Sequence, residues 1–550
     1  MVHSDNYGNH QQGQYGRRRT ARRVVLPVLG AGVVAAAGYW GWTALAGDDA
    51  DDPQVVAAGR QLDRFLTAWE AGDAKAAGAL TDTPEGAESL VKSVMTNLGP
   101  TSTEITAEPG EKVKEGVVKA PFTVRMKLAG AGDYSWDSSA RLMRTGESWK
   151  VEFETPLIHP RMKAGQTLAL KSRDRAPILD ATGRELRSAS LVGAVDPKTG
   201  KGLSGLQARY DAQLTGGAGP ARSVVVLDRA SGEVVSKLTG TEAGKGRPVK
   251  TTIDPAVQAA AAAALEGVKK NAAIVAVRPS TGEIIAAANR PSGMNRALEG
   301  RYPPGSTFKV VTSAALLGKG MKPADTGDCP KFATVNGQRF ENQDQFELGA
   351  DATFRDAFAR SCNTFFVNSR TKLGPSTLHD TAAAFGIGGA WDVGAVTYDG
   401  SVPVSESDND KAASTIGQGR VQASPLVMAS VAATVKAGAF QQPVLVPEAV
   451  KKKHTATAKL DNAVVADLRA MMRATVTYGA GKALKGLPGE PHAKTGTAEF
   501  GQDTPPRTHA WMIGYQGGSD IAWSVLLEDG GSGGRDAGPV AAKFLSGLTP

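Results

Sequence analysis

Between Val24 and Ala46 the chain runs for 23 residues without a charged side chain. A helix of that length reaches about 34 Å at ~1.5 Å per residue, enough for the roughly 30 Å hydrocarbon core of a bilayer. Five arginines (Arg17, Arg18, Arg19, Arg22, Arg23) and one acid, Asp5, precede it, and Asp48, Asp49, Asp51 and Asp52 follow. Tyr39, Trp40 and Trp42 gather toward its far end, where interfacial aromatics belong. This order predicts a single-pass anchor in the cell membrane, with the tail 1–23 in the cytoplasm and the bulk of the chain outside. Ala44-Leu45-Ala46 would also suit a signal peptidase, but the apolar stretch exceeds the about 7–15 residues of a signal peptide. A retained anchor is therefore favoured over a cleaved signal, and a twin-arginine export signal is weaker still. Either way the rest of the chain works away from ATP and nucleic acid.

A chain of 550 residues holds more than one hydrophobic core. Lys plus Arg is 63 against 55 for Asp plus Glu, a formal +8, and half of that sits in the arginine tail. The remainder is too small to argue for a nucleic-acid surface. Two cysteines exclude a disulfide-dense scaffold and a four-cysteine zinc site. No H-E-x-x-H and no phosphate-binding G-x-x-x-x-G-K-[ST] occurs. Neither metal nor cofactor is expected.

After the anchor, Val55–Ala79 reads as helices, with Leu62, Phe65, Leu66 and Trp69 at helical spacing and a Gly-Asp break at 72–73. From about Thr103 to Phe153 the pattern alternates, as in VKAPFTVRMKL, and predicts antiparallel strands. Residues 53–163 thus form a small α+β domain. Residues 165–250 are Gly-rich and strand-poor, with apolar runs such as SVVVLD, and 164–248 read as a linker. From 249 to 550, IDPAVQAAAAAALEGV predicts a helix, AAIVAVR and EIIAAAN buried strands, and the two kinds of segment then alternate. The fold class is multidomain α+β with an antiparallel sheet in the C-terminal domain.

The informative segment is Tyr302-Pro-Pro-Gly-Ser-Thr-Phe-Lys309. Ser306 opens an apolar-periodic helix, FKVVTSAALL, and Lys309 lies one turn on, so hydroxyl and amine share a face. Serine needs a base to become a nucleophile, and a desolvated lysine near another cation can be that base. The helix N-terminus offers free N–H groups to a developing oxyanion. Alone, S-x-x-K is weak, since Ser89…Lys92 and Ser369…Lys372 match it too. Company in the right order changes that. Ser361-Cys362-Asn363 follows at the end of an amphipathic helix, and Lys494-Thr495-Gly496-Thr497 lies in AKTGTAEF, which alternates like a strand.

Four decoys compete. Lys198-Thr199-Gly200 precedes the nucleophile in a Pro/Gly-rich turn. Ser407-Asp408-Asn409 lies in SESDNDK, which reads as solvated loop. Gly530-Gly531-Ser532-Gly533-Gly534 fits G-x-S-x-G, but that elbow needs a later histidine and the last is His509. A flexible glycine turn accounts for it better. His492 reads as a strand-entry residue, not a base. Cys329 and Cys362 could pair outside the cytoplasm, but spacing does not show it, and a small unpaired buried side chain is the favoured reading of Cys362.

S-x-x-K, S-x-N and K-T-G together mark penicillin-binding proteins and class A β-lactamases. The chain resembles the class B penicillin-binding proteins, the monofunctional D,D-transpeptidases of bacterial wall synthesis. TTIDPAVQ, RPSTGEIIAAANRP, RYPPGSTFK, RSCNTFF, STIGQGRVQASPLVMA, AKTGTAEF and HAWMIGY carry the resemblance in the family's order. DRAPILDATGRELR and GLQARYDAQLTGGAG resemble its linker or dimerisation region, although Ala176 and Ala181 depart from the usual pattern. WKVEFETPLIHPRM is similar to the end of the nuclear transport factor 2-like domain of methicillin-resistance-type members.

The resemblance implies that Ser306 attacks the carbonyl of a D-Ala-D-Ala stem peptide with Lys309 as base. Ser361 would relay a proton to the leaving amine, with Lys494 setting the local field. Asn363 would hold the substrate's peptide, and Thr495, Gly496 and Thr497 its terminal carboxylate. The N–H groups of Ser306 and Thr497 would form the oxyanion hole. An acceptor amine would complete the cross-link, and β-lactams would acylate Ser306. A wall-synthesis glycosyltransferase of the shape-elongation-division-sporulation type is an implied partner; nucleic acid is not. Three alternatives stay open: a β-lactamase, disfavoured because no E-x-x-L-N supplies a deacylating base; a D,D-carboxypeptidase; and a non-catalytic β-lactam sensor or divisome scaffold.

Overall fold

The computed structural model describes residues 52–217, 219, 222–239 and 245–548. The expected anchor, Val24–Ala46, lies outside these, and no helix among the described residues is long and apolar enough to cross a membrane. Two compact units divide the described chain near residue 167.

In the first unit, α1 (Pro53–Glu70) buries Leu62, Phe65, Leu66 and Trp69, the predicted stripe. Asp52 caps it by accepting from the Gln54 N–H at 2.7 Å. Asp73 caps α2 (Ala74–Ala79) in the same way, so the Gly-Asp break works as a stop and a start. A third helix, α3 (Pro84–Leu98), follows. Five strands then form one sheet: β1 (Ser102–Ala107), β2 (Glu111–Lys114), β3 (Val117–Leu128), β4 (Gly132–Thr145) and β5 (Ser148–Val151). Their order is β1-β3-β4-β5, with β2 beside β3. Every second residue of β3 is buried from Val118 to Leu128, the period-2 signature of a sheet with one face on a core.

The second unit begins with a three-stranded sheet of β6 (Gln166–Ser172), β7 (Arg222–Asp228) and β8 (Val234–Lys237). This corrects the strand-poor reading of residues 165–250. β7 and β8 form a local hairpin, whereas β6 joins β7 from about fifty residues upstream, beyond the reach of local pattern.

Its main sheet contains β9 (Ala272–Val277), β10 (Ile284–Arg290), β11 (Pro491–Phe500), β12 (Arg507–Gln516) and β13 (Ala522–Leu527), ordered β10-β9-β13-β12-β11. All four pairings are antiparallel. Both faces are covered. Ala273, Val275 and Val277 of β9 enter one core with α9 (Pro425–Ala437), described with its neighbours below. Ala272, Ile274 and Ala276 enter another with α4 (Pro255–Leu265) and the C-terminal helix α11 (Gly538–Ser546). Double-sided burial is why β9 reads AAIVAV without alternation.

Between β10 and β11 lie the helices that hold the candidate site: α5 (Lys309–Gly318), α6 (Phe354–Ala359), α7 (Asn363–Ser369), α8 (Asp408–Thr415), α9 and α10 (Asn462–Thr477). Helix α8 corrects the loop reading of SESDNDK: the Ser407 hydroxyl accepts from the Asp410 N–H at 3.1 Å and caps it. A second correction concerns Cys362, which is fully buried but joined to Cys329 in a disulfide.

Candidate active site

The nucleophile candidate sits where the chain cannot carry a side chain one residue earlier. Gly305 has φ +52°, and a Cβ there would lie 2.5 Å from the Thr497 carbonyl oxygen. A tight turn, Gly305–Phe308, precedes α5, so Ser306 stands just ahead of the regular helix that the sequence predicts. Ser306 Oγ is 3.3 Å from Asn363 Oδ1, and Lys309 Nζ donates to the same oxygen at 2.7 Å. One amide oxygen thus links the hydroxyl and the amine.

Ser361 terminates α6 in a left-handed conformation, φ +64°. Its N–H bonds Phe358 O at 3.0 Å and the Cys362 N–H bonds Ala357 O at 2.8 Å. This double closure of a helix end normally employs glycine. Here a hydroxyl occupies the strained position and is put to use: Lys494 Nζ lies 2.8 Å from Ser361 Oγ, and Lys309 Nζ lies 3.5 Å from it. Lys309 also donates to Ser361 O at 2.8 Å.

Strand β11 brings the third group. Thr495 and Thr497, two residues apart, share a face, and both line a cleft of about 410 Å³ with Ser306, Ser361 and Asn363. Gly496 lies against the nucleophile turn, where a Cβ would come within 2.8 Å of Thr307. All eight residues singled out in the sequence therefore come together.

Both amines are wholly buried. Burial drives the Lys494 amine down to about 7. Burial, and then the charge of Lys494, holds Lys309 well below the ordinary lysine range. Phe366 and Phe358 rings lie 5.2 and 5.5 Å from the two ammonium positions, soft partners for whichever amine is charged. Protons on this pair belong to the pair, because each charge opposes the other. A neutral amine beside a serine is what a base needs. His509 stacks on Phe500 at 3.9 Å and is held at about 4 by burial, and His492 enters β11 stacked on Tyr515.

Residues 272–546 match the penicillin binding protein transpeptidase domain. The chain belongs to that family. Residues 57–166 match the NTF2-like N-terminal transpeptidase domain. The chain is 33% identical over 369 residues to the peptidoglycan D,D-transpeptidase PbpA of Mycolicibacterium smegmatis, covering 55% of this chain and 72% of that one. The Mycobacterium tuberculosis PbpA is 32% identical over 362 residues, with the same coverage. Among solved structures, penicillin-binding protein A from M. tuberculosis as a ceftriaxone acyl-enzyme complex aligns with a TM-score of 0.58 and 25% identity. That alignment covers 69% of this chain and 99% of that one.

Within this penicillin-binding protein, sequence reasoning missed part of the cleft wall. The run Gly530–Gly534 is no idle turn. Ser532 and Gly534 line the cleft, and the Gly533 N–H reaches Thr497 Oγ1 at 3.2 Å. Thr497 Oγ1 in turn donates to Gln343 Oε1 at 3.2 Å. Arg360, Lys482 and Arg535 also line the cleft. Arg360 had a signal, its place beside Ser361; Gln343 had none.

Proposed function

We propose that this chain is a serine D,D-transpeptidase of peptidoglycan synthesis that works through an acyl-enzyme on Ser306 and is acylated by β-lactams. The observation that carries it is the convergence of two buried, pKa-depressed amines on one hydroxyl beside Ser306. Neutral Lys309 takes the Ser306 proton as Oγ attacks the penultimate D-Ala carbonyl. The N–H groups of Ser306 and Thr497 receive the oxyanion. Lys309 passes that proton through the Ser361 hydroxyl to the departing D-Ala amine, so Ser361 ends protonated and Lys309 neutral, with Lys494 holding Ser361 Oγ. Thr495 and Thr497 hold the substrate carboxylate, beside Gly496, and Asn363 holds its peptide. An acceptor amine from a neighbouring stem then takes the acyl group and forms the cross-link.

In the same proposal, residues 1–23 are a cytoplasmic tail, 24–46 the anchor, 53–163 the nuclear transport factor 2-like domain, 164–248 the linker and 249–550 the transpeptidase domain. A glycosyltransferase of the shape-elongation-division-sporulation type is the partner that would supply glycan strands. The test is covalent labelling of the full chain in detergent by fluorescent penicillin. Ser306→Ala abolishes the label; persistence of label in that variant overturns the assignment. Rapid release of opened drug would instead mark a β-lactamase. Stem peptide with and without an acceptor amine separates cross-linking from trimming, and label without any turnover marks a sensor.

A further inference from the structure

Ser361 and Asn363 flank Cys362, and their own backbone does not hold them where they are. Ser361 sits in a left-handed region that costs a non-glycine residue strain. Helix α7 starts at Asn363 with N–H groups that need acceptors from outside the helix. For the first two of these N–H groups the acceptor is a single side chain, Asn342. Asn342, with no exposed surface, accepts the Asn363 N–H at 2.7 Å and the Thr364 N–H at 3.1 Å on Oδ1. Its Nδ2 donates to Pro330 O at 2.9 Å and Phe346 O at 2.8 Å. The Cys362 sulfur takes the Phe365 N–H at 3.3 Å, and the same residue is tied to Cys329 by the disulfide. Next to Asn342, Glu341 O accepts from Asn363 Nδ2 at 2.8 Å. That bond decides which end of the Asn363 amide faces Ser306 and Lys309.

We propose that Asn342 is a positioning residue for acylation, and that the Cys329–Cys362 disulfide is the second member of the same brace. Together they place Ser361 Oγ and Asn363 Oδ1 against Ser306, Lys309 and Lys494. Asn342 makes no hydrogen bond to Ser306, Lys309 or Lys494; it acts through the two residues that do. The proposal rests on the acyl-enzyme reading of Ser306. It gives the fully buried amide a role distinct from core packing, since each of its hydrogen bonds ends on α7 or on a segment beside the disulfide.

The test is the rate of acylation by fluorescent penicillin against pH, measured on the full chain in detergent. Asn342→Leu keeps the volume and removes the bonds. Acylation slows about 100-fold, the cost of a displacement of the order of an ångström. The acid limb of the profile also moves to lower pH, because Lys309 loses an acceptor that favours its charged form. Asn342→Asp keeps both acceptor bonds to α7 but sets an oxygen against Pro330 O and Phe346 O, so it recovers part of the rate that Asn342→Leu loses. Native rate and profile in Asn342→Leu overturn the proposal. So does a loss that tracks only the folded fraction with the profile unmoved. Where Asn342→Leu shows no cooperative melt, Cys329→Ser combined with Cys362→Ser carries the test. It retains a cap for the Phe365 N–H but not the tether, so acylation falls about 10-fold with the same shift of profile. A native rate there overturns the proposal equally. A wild-type chain that takes no label, or a Ser306→Ala chain that does, brings down the acyl-enzyme reading first.

Discussion

Each of the two units buries titratable side chains, in opposite ways. In the first, His159 is packed against Trp136 and Tyr134, and its Nε2 lies 2.8 Å from the Tyr134 hydroxyl. Burial holds His159 at about 4 and lifts Tyr134 to about 12, so both stay neutral in each other's company. In the second, burial falls on two lysines that share one hydroxyl and oppose each other's charge. The first arrangement has found its rest state; the second is kept from one. A buried group that is neutral and paired belongs to the scaffold, whereas a buried group that is destabilised and aimed at a nucleophile belongs to chemistry.

The sharpest way to break this contrast is Lys309→Met. Acylation by penicillin falls by about 10⁴-fold, at the upper end of what a general base contributes, while the melting temperature at neutral pH does not fall. A lower melting temperature would mean that Lys309 is structural. Lys494→Met comes next, with acylation reduced about 100-fold or more. Here the pH dependence of stability carries a sign. The unfolded chain binds this proton near 10.5, whereas the folded chain waits until about 7. The native lysine therefore costs stability progressively as pH falls from about 10 to about 7, and calorimetry should find the variant's advantage widening over that window. Removing the neighbouring charge also raises the Lys309 pKa, so the acid limb of acylation in this variant moves to higher pH.

On the other side of the comparison, His159→Ala destabilises by roughly 2–3 kcal/mol, the cost of a cavity among aromatic rings. The folded fraction keeps its acylation rate, and a changed rate would deny the scaffold assignment. The smallest effect on stability is Ser361→Gly. It relieves the left-handed backbone by about 1 kcal/mol and raises the melting temperature by a few degrees, yet slows acylation because the departing amine loses its proton donor. An unchanged melting temperature would show that this helix end carries no strain.

Most of the site was legible because its chemistry lies in short motifs with fixed internal geometry. Ser306 and Lys309 are neighbours on one helical face wherever that helix goes, and Thr495 and Thr497 share a face of any strand. What stayed hidden depends on distant partners. Asn342 sits in a polar stretch, ENQDQ, and only the approach of α7 gives it a task. The run Gly530–Gly534 reads as loose because glycine is permissive alone, and its order comes from the strand beneath it. Helix α8 did carry a signal, Ser407 three residues before Asp410, but it lacks an apolar stripe and Asp410 is also held by Arg420 at 2.6 Å. Pairing of Cys329 with Cys362 needed the fold to bring them together.

The contact between Gly496 and Gly533 bears on how such an enzyme can change under antibiotic selection. A Cβ at Gly533 would stand 2.3 Å from Gly496 O, so this wall of the cleft is backbone against backbone. A side chain there would force either the glycine run or the strands β11 and β12 beneath it to move. Adaptation has to be sought at the rim, where Arg360, Lys482 and Arg535 face solvent and can be exchanged singly. The Gly533 wall is closed to that route, and the repertoire of resistant alleles should spare Gly533.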